Sequence, residues 1–137
     1  MDKKIKQVIV VRKDLNMRKG KIAAQAGHAC VLAIFKTMNK LDDFCWQVTN
    51  EGDVCGRDDS ILSEWMNNNY TKICLYVNSE EELLDIANKA KEADIIYALV
   101  RDAGFTEFHG EPTYTCLAFG PTYSEDIDKI TGELPLF

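Results

Sequence analysis

The sequence lacks the signatures of several common functions. Its five cysteines are odd in number, widely spaced and without a C-x-x-C pair, so neither a zinc site nor a disulfide framework is expected. No uninterrupted apolar stretch approaches the roughly 18 to 20 residues of a membrane helix. No G-x-G-x-x-G or Walker sequence follows the first predicted strand, which leaves nucleotide binding or redox chemistry a distant possibility. These absences predict a reduced, cytoplasmic protein without a membrane span, metal or cofactor.

The charge of the chain is divided unevenly along its length. At 137 residues and 46% hydrophobic content, the chain fits one domain over residues 1–137, with a net charge of −6. Residues 1–40 contain ten Lys/Arg and two Asp/Glu, a net of +8, whereas residues 41–137 carry −14. Such a division is compatible with a local anion-binding face on an acidic body, or simply with an uneven solvated surface.

Hydrophobic patterning predicts four strands and four helices. Residues 7–11 form a β-branched run without alternation, which is typical of a central strand covered on both faces. A further helical turn is expected at 41–46, a surface loop insertion at 47–60, and cap chemistry at 14–16 and at Ser79. The other strands are predicted at 70–77, 95–100 and 114–119, and the helices at 19–39, 61–67, 80–92 and 124–131. The order predicts a single-domain α/β fold, a mixed four-stranded sheet with helices on both faces.

The first helix combines an apolar circumference with one polar stripe. Nearly every position from 21 to 36 is apolar or small, which predicts a largely buried helix. The exceptions are Lys21, Gln25, His28 and Lys36, which fall within an arc of about 80° at 100° per residue. This stripe is either the helix's window on solvent or a functional face.

The amino end of this helix favours a functional interpretation. Arg18, Lys19 and Lys21 crowd the helix N-terminus, where the helix dipole disfavours each cation by about 0.3–1 kcal/mol. An external anion would relieve that repulsion, since free backbone N–H groups and nearby cations together make a phosphate or oxyanion site. Gly20 costs helix stability, which is understandable if a ligand must approach the backbone closely.

Three separated segments carry a resemblance to a known family. They are V-V-R-K-D-L-N-M-R-K-G-K-I-A-A-Q-A-G-H-A at 10–29, V-R-D-A-G-F-T-E at 100–107, and F-G-P at 119–121 followed by I-D-K-I-T-G-E-L at 127–134. In this order they resemble the motifs of the archaeal and eukaryotic type of peptidyl-tRNA hydrolase, whereas residues 41–70 match poorly. The resemblance implies a four-stranded mixed sheet, hydrolysis of the ester between peptide and tRNA, and a homodimer as a common state.

The resemblance also suggests roles for particular residues. Asp102 would orient or deprotonate the attacking water and Thr106 would complete its hydrogen bonds, although an Asp-Ala-Gly turn can also use its carboxylate to cap local backbone. Lys19 would stabilise negative charge, and His28 would position the ester or relay a proton. Arg18, Lys21 and Gln25 would order the site or contact the tRNA. Without a G-x-S-x-G elbow or a cysteine in a nucleophile's context, direct attack by water is expected.

Some positions depart from the family pattern. Phe105 replaces a frequent basic residue and Glu107 replaces a glutamine, while His109 is not expected to be catalytic. These departures leave two alternatives open. The chain could be a divergent non-catalytic binder of tRNA or protein, or a hydrolase of a different ester or amide.

Overall fold

A buried strand, β1, lies at the centre of the fold. The computed structural model describes residues 4–41, 46–48, 54–56, 60–103 and 110–137. The strands are β1 (Ile5–Arg12), β2 (Trp46–Val48), β3 (Val54–Gly56), β4 (Lys72–Val77), β5 (Tyr97–Asp102), β6 (Thr113–Phe119) and β7 (Thr122–Tyr123). The helices are α1 (Lys19–Asn39), α2 (Ile61–Asn67), α3 (Glu80–Glu92) and α4 (Ser124–Thr131), with a 3-10 turn at Lys13–Leu15.

The main sheet is mixed and has the order β4-β1-β6-β5, with β7 pairing to the start of β1. Strand β1 is parallel to β4 and antiparallel to β6, and β5 and β6 form an antiparallel hairpin. The predicted α/β class and mixed sheet are confirmed. The described sheet has five strands rather than the predicted four. Strand β7 was not predicted, because its two residues are too few to show a hydrophobic period.

Both faces of this sheet are covered by helices. Val8 and Val10 point to one face, where they pack with residues of α3 and α4. Ile9 and Val11 point to the other face, where they pack with Ala29 and neighbouring residues of α1. The unbroken apolar run in β1 therefore reflects burial on two sides, as predicted.

Two local predictions are corrected by the structure. Within the predicted loop at 47–60, β2 and β3 pair antiparallel, and Trp46, predicted to end a helical turn, begins β2. The rest of that predicted turn, 42–45, lies outside the described residues. The carboxylate of Asp14 pairs with Arg12 rather than capping α1, whose N-cap is Arg18 without a side-chain cap. At Ser79 the predicted cap is present and accepts from the backbone N–H of Glu82.

The prediction that α1 is largely buried is wrong. Only Ala29, Ala33 and Thr37 are buried, whereas Val31 is 50% exposed and Phe35 is 60% exposed. The helix lies on the sheet by one face only, so its apolar composition reflects small residues on the sheet side and exposed apolar residues on the other. Within the described residues, no helix is long and apolar enough to span a membrane.

The two edges of the main sheet differ. At the β4 edge the final residues of the chain run beside the strand: the Tyr76 N–H donates to the Pro135 carbonyl at 3.2 Å, and the Phe137 N–H donates to the Cys74 carbonyl at 3.1 Å. The opposite edge is formed by β5, which pairs with β6 alone. The chain thus covers one edge with its own terminus and ends the other at β5.

Candidate functional site

The carboxylate of Asp102 lies at the carboxyl end of β5 against the first turns of α1. The Lys21 ammonium donates to Oδ1 of Asp102 at 2.8 Å, and Nε2 of Gln25 donates to the same oxygen at 3.4 Å. Lys21 and Gln25 are four residues apart and share one face of the helix. The side chains of the Lys21–Asp102 pair are only 16% and 14% exposed, so solvent screens their attraction less than at an open surface.

A β-bulge brings β6 into the same site. Val100 pairs with Cys116 and Arg101 pairs with Tyr114, which leaves Thr115 as an extra residue in β6. In a regular strand successive side chains point to opposite faces, but here both Thr115 and Cys116 contact Gln25 on the α1 face. The extra residue allows this, because a bulge re-aims the side chains around it.

The contacts from β6 determine how Gln25 is oriented. The buried hydroxyl of Thr115 donates to Oε1 of Gln25 at 2.7 Å, and the Cys116 thiol donates to the Gln25 backbone carbonyl at 3.3 Å. With its amide oxygen engaged in this way, Gln25 presents its NH₂ group to Asp102. The sequence analysis missed Thr115. Its only signal was a threonine within the predicted strand 114–119, whose other residues are apolar or aromatic.

Three other predicted site residues are exposed at the start of α1 or along it. Arg18 and Lys19 are exposed at the start of α1, and His28 is exposed one turn beyond Gln25. No described residue forms a hydrogen bond or ion pair with the side chain of Lys19 or of His28. Thr106 lies outside the described residues, as do Phe105, Glu107 and His109, so the predictions for them stay predictions. Of the predicted set, the structure brings together Lys21, Gln25 and Asp102.

The thiols near the site are not poised for nucleophilic attack. Burial raises the pKa of Cys116 to about 12, which the hydrogen bond with Thr115 only partly offsets. Burial also raises the pKa of Cys30 and of Cys74. Because the thiolate is the reactive form, these thiols are inert near neutral pH. In the part of the chain that the structure describes, no three potential metal ligands converge on one point.

The fold and this cluster define a class of protein. A carboxylate held by a lysine and an amide can orient a water molecule and accept its proton, and a helix N-terminus with exposed cations can receive an anionic substrate. These are the chemical abilities that an α/β hydrolase acting on an anionic ester would need.

Comparisons with known proteins identify the family. Residues 5–137 match the family model Peptidyl-tRNA hydrolase PTH2. The chain is 39% identical over 133 residues to the peptidyl-tRNA hydrolase of Methanocaldococcus jannaschii, covering 96% of this chain and 99% of that one. It is 42% identical over 132 residues to that of Methanothermobacter thermautotrophicus, with 96% and 99% covered. The chain therefore belongs to the peptidyl-tRNA hydrolase PTH2 family, and the resemblance carried by the three motifs is confirmed.

A solved structure shows the same fold at greater distance. A protein of unknown function from Agrobacterium superposes with a TM-score of 0.58 and 14% identity, covering 97% of each chain. At this identity the likeness concerns the fold alone. The near-complete coverage indicates that the arrangement of strands and helices extends over the whole chain in both proteins.

Proposed function

We propose that this protein hydrolyses peptidyl-tRNA by direct attack of a water molecule held at Asp102. The water oxygen adds to the ester carbonyl carbon, and its proton passes to the Asp102 carboxylate. The bond to the terminal ribose oxygen then breaks, and that oxygen takes a proton as free tRNA and peptide leave. The observation that carries the proposal is the meeting of Lys21 and Gln25 at the Asp102 carboxylate, with Thr115 holding the amide of Gln25.

Lys21 is assigned a larger role than the sequence suggested. Its ammonium lies 2.8 Å from Oδ1 of Asp102, where a charge-assisted hydrogen bond fixes the position of the carboxylate. The same charge stabilises the oxyanion that forms on the ester carbonyl. Gln25, held by Thr115, fixes the second hydrogen bond to the same oxygen. In this proposal Thr106 adds a further hydrogen bond to the water.

The start of α1 is proposed as the binding site for the phosphates at the tRNA end. Its N-cap residue, Arg18, makes no side-chain cap hydrogen bond, and the backbone N–H groups at a helix start are a common binding site for anions. Lys19 is exposed beside them, and a Cβ placed on Gly20 would meet no atom within 4 Å. In this arrangement Arg18 and Lys19 bind phosphate, and His28 positions the ester. If so, kcat/KM falls steeply with salt, and Lys19→Ala reduces the slope of log kcat/KM against log salt by about one.

The experiment that tests the reaction is release of N-blocked aminoacyl groups from tRNA by purified protein. Asp102→Asn keeps the size of the side chain but removes the proton acceptor, so kcat should fall by about 10²–10⁴. Asp126→Asn serves as the matched control, because Asp126 lies in α4 and its 4.0 Å pair with Lys129 is remote from the site. A folded Asp102→Asn variant with the wild-type rate would eliminate the mechanism. Tight tRNA binding without release by the wild type would indicate a non-catalytic binder.

We further infer that the protein works as a homodimer in the cytoplasm. The exposed face of α1 carries Val31, Leu32 and Phe35, which are 50%, 36% and 60% exposed, and a second copy would bury them. The four described cysteines are unpaired, as suits a reducing compartment. Sedimentation should show a dimer that Phe35→Glu disrupts and Leu136→Glu, at another exposed apolar position, leaves intact.

A further inference from the structure

Strand β5 connects the site to an unpaired edge of the sheet. The Gly120 N–H donates to the Ile96 carbonyl at 2.9 Å, which makes this pair a hydrogen-bonded one. Backbone groups alternate in direction along an antiparallel strand, so Ala98 and Val100 face β6 whereas Tyr97 and Leu99 face away from it. The contact from the Lys36 ammonium to the Tyr97 carbonyl, at 2.9 Å, confirms that this carbonyl points outward.

The outward-facing backbone groups of Leu99 have no partner among the residues that the structure describes. Apart from Lys36 at Tyr97, no described residue forms a hydrogen bond with the outward N–H or carbonyl groups of these two positions. Helix α1 runs antiparallel to the strand, since Lys21 contacts Asp102 at one end and Lys36 contacts Tyr97 at the other. The unpaired edge therefore lies alongside the polar stripe of α1, between Asp102 and Lys36.

We propose that the peptide of peptidyl-tRNA binds in extended form along this edge, as an added strand parallel to β5. The inference rests on the proposed function, because it takes the ester carbonyl to lie at Asp102. The tRNA end occupies the start of α1 beyond Asp102, so the peptide leaves the ester in the other direction, back along β5. Its residues then run toward Asp102 in the same direction as the strand, and main-chain groups of the peptide bond to Leu99.

The chemistry of the substrate favours this mode of binding. A hydrolase of peptidyl-tRNA meets peptides of many sequences, and main-chain hydrogen bonds recognise a peptide without reading its side chains. The β4 edge cannot serve, because the carboxyl-terminal residues already bond to Tyr76 and Cys74 there. The distance also fits: Leu99 lies three residues before Asp102, about 10 Å at roughly 3.3 Å per residue. Peptide residues two to four, counted from the ester, would reach it.

The experiment measures kcat/KM for wild-type protein on tRNA esters carrying one to six residues. The value of kcat/KM should rise with peptide length up to about four residues and then level off. Each hydrogen bond gained should raise it by roughly 3- to 10-fold, through a lower KM. Changing the side chains of the tetrapeptide should matter little. Replacing the peptide N–H groups at the second to fourth residues by N-methyl, one at a time, should lower kcat/KM by that same factor at one of them.

A variant tests the protein side of the contact. Leu99→Pro removes the outward N–H without touching the bonds to β6, a position where an edge strand accepts proline. Leu99→Ala is the matched control, because it loses the same side-chain packing but keeps the N–H. The ratio of kcat/KM for the four-residue substrate over the one-residue substrate should fall by about 3- to 10-fold, the loss of one hydrogen bond, in Leu99→Pro and persist in Leu99→Ala.

The possible outcomes separate this inference from the proposed function. Hydrolysis that is indifferent to peptide length and to N-methylation would overturn the added strand while leaving the reaction in place. A gain that depends on side-chain identity instead would also overturn it, because main-chain pairing does not discriminate in that way. Failure to hydrolyse any of the esters would remove both. If Leu99→Pro does not fold, the N-methylated substrates decide the question with wild-type protein.

Discussion

Replacing Lys21 by Met should lower the free energy of unfolding, because the Asp102 carboxylate loses the ammonium with which it pairs. Coulomb's law gives about 6 kcal/mol for unit charges 2.8 Å apart at an effective dielectric constant of about 20, and desolvation of both groups cancels much of it. A charge-assisted hydrogen bond retains about 1.5–3 kcal/mol. We therefore expect a coupling free energy of that size between Lys21→Met and Asp102→Asn in a double-mutant cycle measured by urea unfolding.

One control accompanies this cycle. Lys36→Met removes another lysine of the same helix, one that bonds to a backbone carbonyl, so its coupling to Asp102→Asn should be near zero. A coupling below about 0.5 kcal/mol between Lys21→Met and Asp102→Asn would refute the reasoning.

Three further outcomes are expected. Thr115→Val should lower kcat about 10-fold with little change in KM, since Gln25 loses the donor that orients it, and an unchanged kcat would exclude this role. Gly20→Ala should add about 0.5–1 kcal/mol of stability and so raise the melting temperature, while it also raises KM. An unchanged KM would show that the substrate does not approach the backbone at Gly20. In the folded protein the pKa of Cys116 is raised from 9.0 to about 12 by burial. Its contribution to the free energy of unfolding is therefore complete below pH 9 and is lost as the pH rises to 12. Unfolding free energies should fall by at most about 1.4 kcal/mol per pH unit over that range, and an equal slope in Cys116→Ala would contradict the assignment.

Elements with strong local signals were predictable from the sequence. Helix α1 has the predicted bounds. Helix α3 begins after Ser79, and the glutamates that follow this serine in the sequence indicate its role as a cap. Strand β1 was identifiable because burial on both faces removes the alternation of a half-exposed strand. The motif around Asp102 likewise predicted a carboxylate at a strand end, and the structure places Lys21 and Gln25 against it.

The remainder depended on tertiary structure. Composition could not show which face of α1 meets the sheet, because alanine and glycine are compatible with both a buried and an exposed surface. Thr115 was missed because its position on the α1 face results from a pairing shift between β5 and β6, which depends on how two strands align. The open edge at Leu99 follows from the order of the strands, which no local pattern of β5 reveals.

The extra residue in β6 interrupts the pairing with β5. Loss of the single codon for Thr115 would place Tyr114 directly before Cys116, so that pairing with Arg101 and Val100 would continue without interruption. The ladder would become more regular, while Gln25 would lose the hydroxyl that holds its amide. In this strand a regular ladder and a firmly held Gln25 amide are therefore alternatives, and the protein has the second.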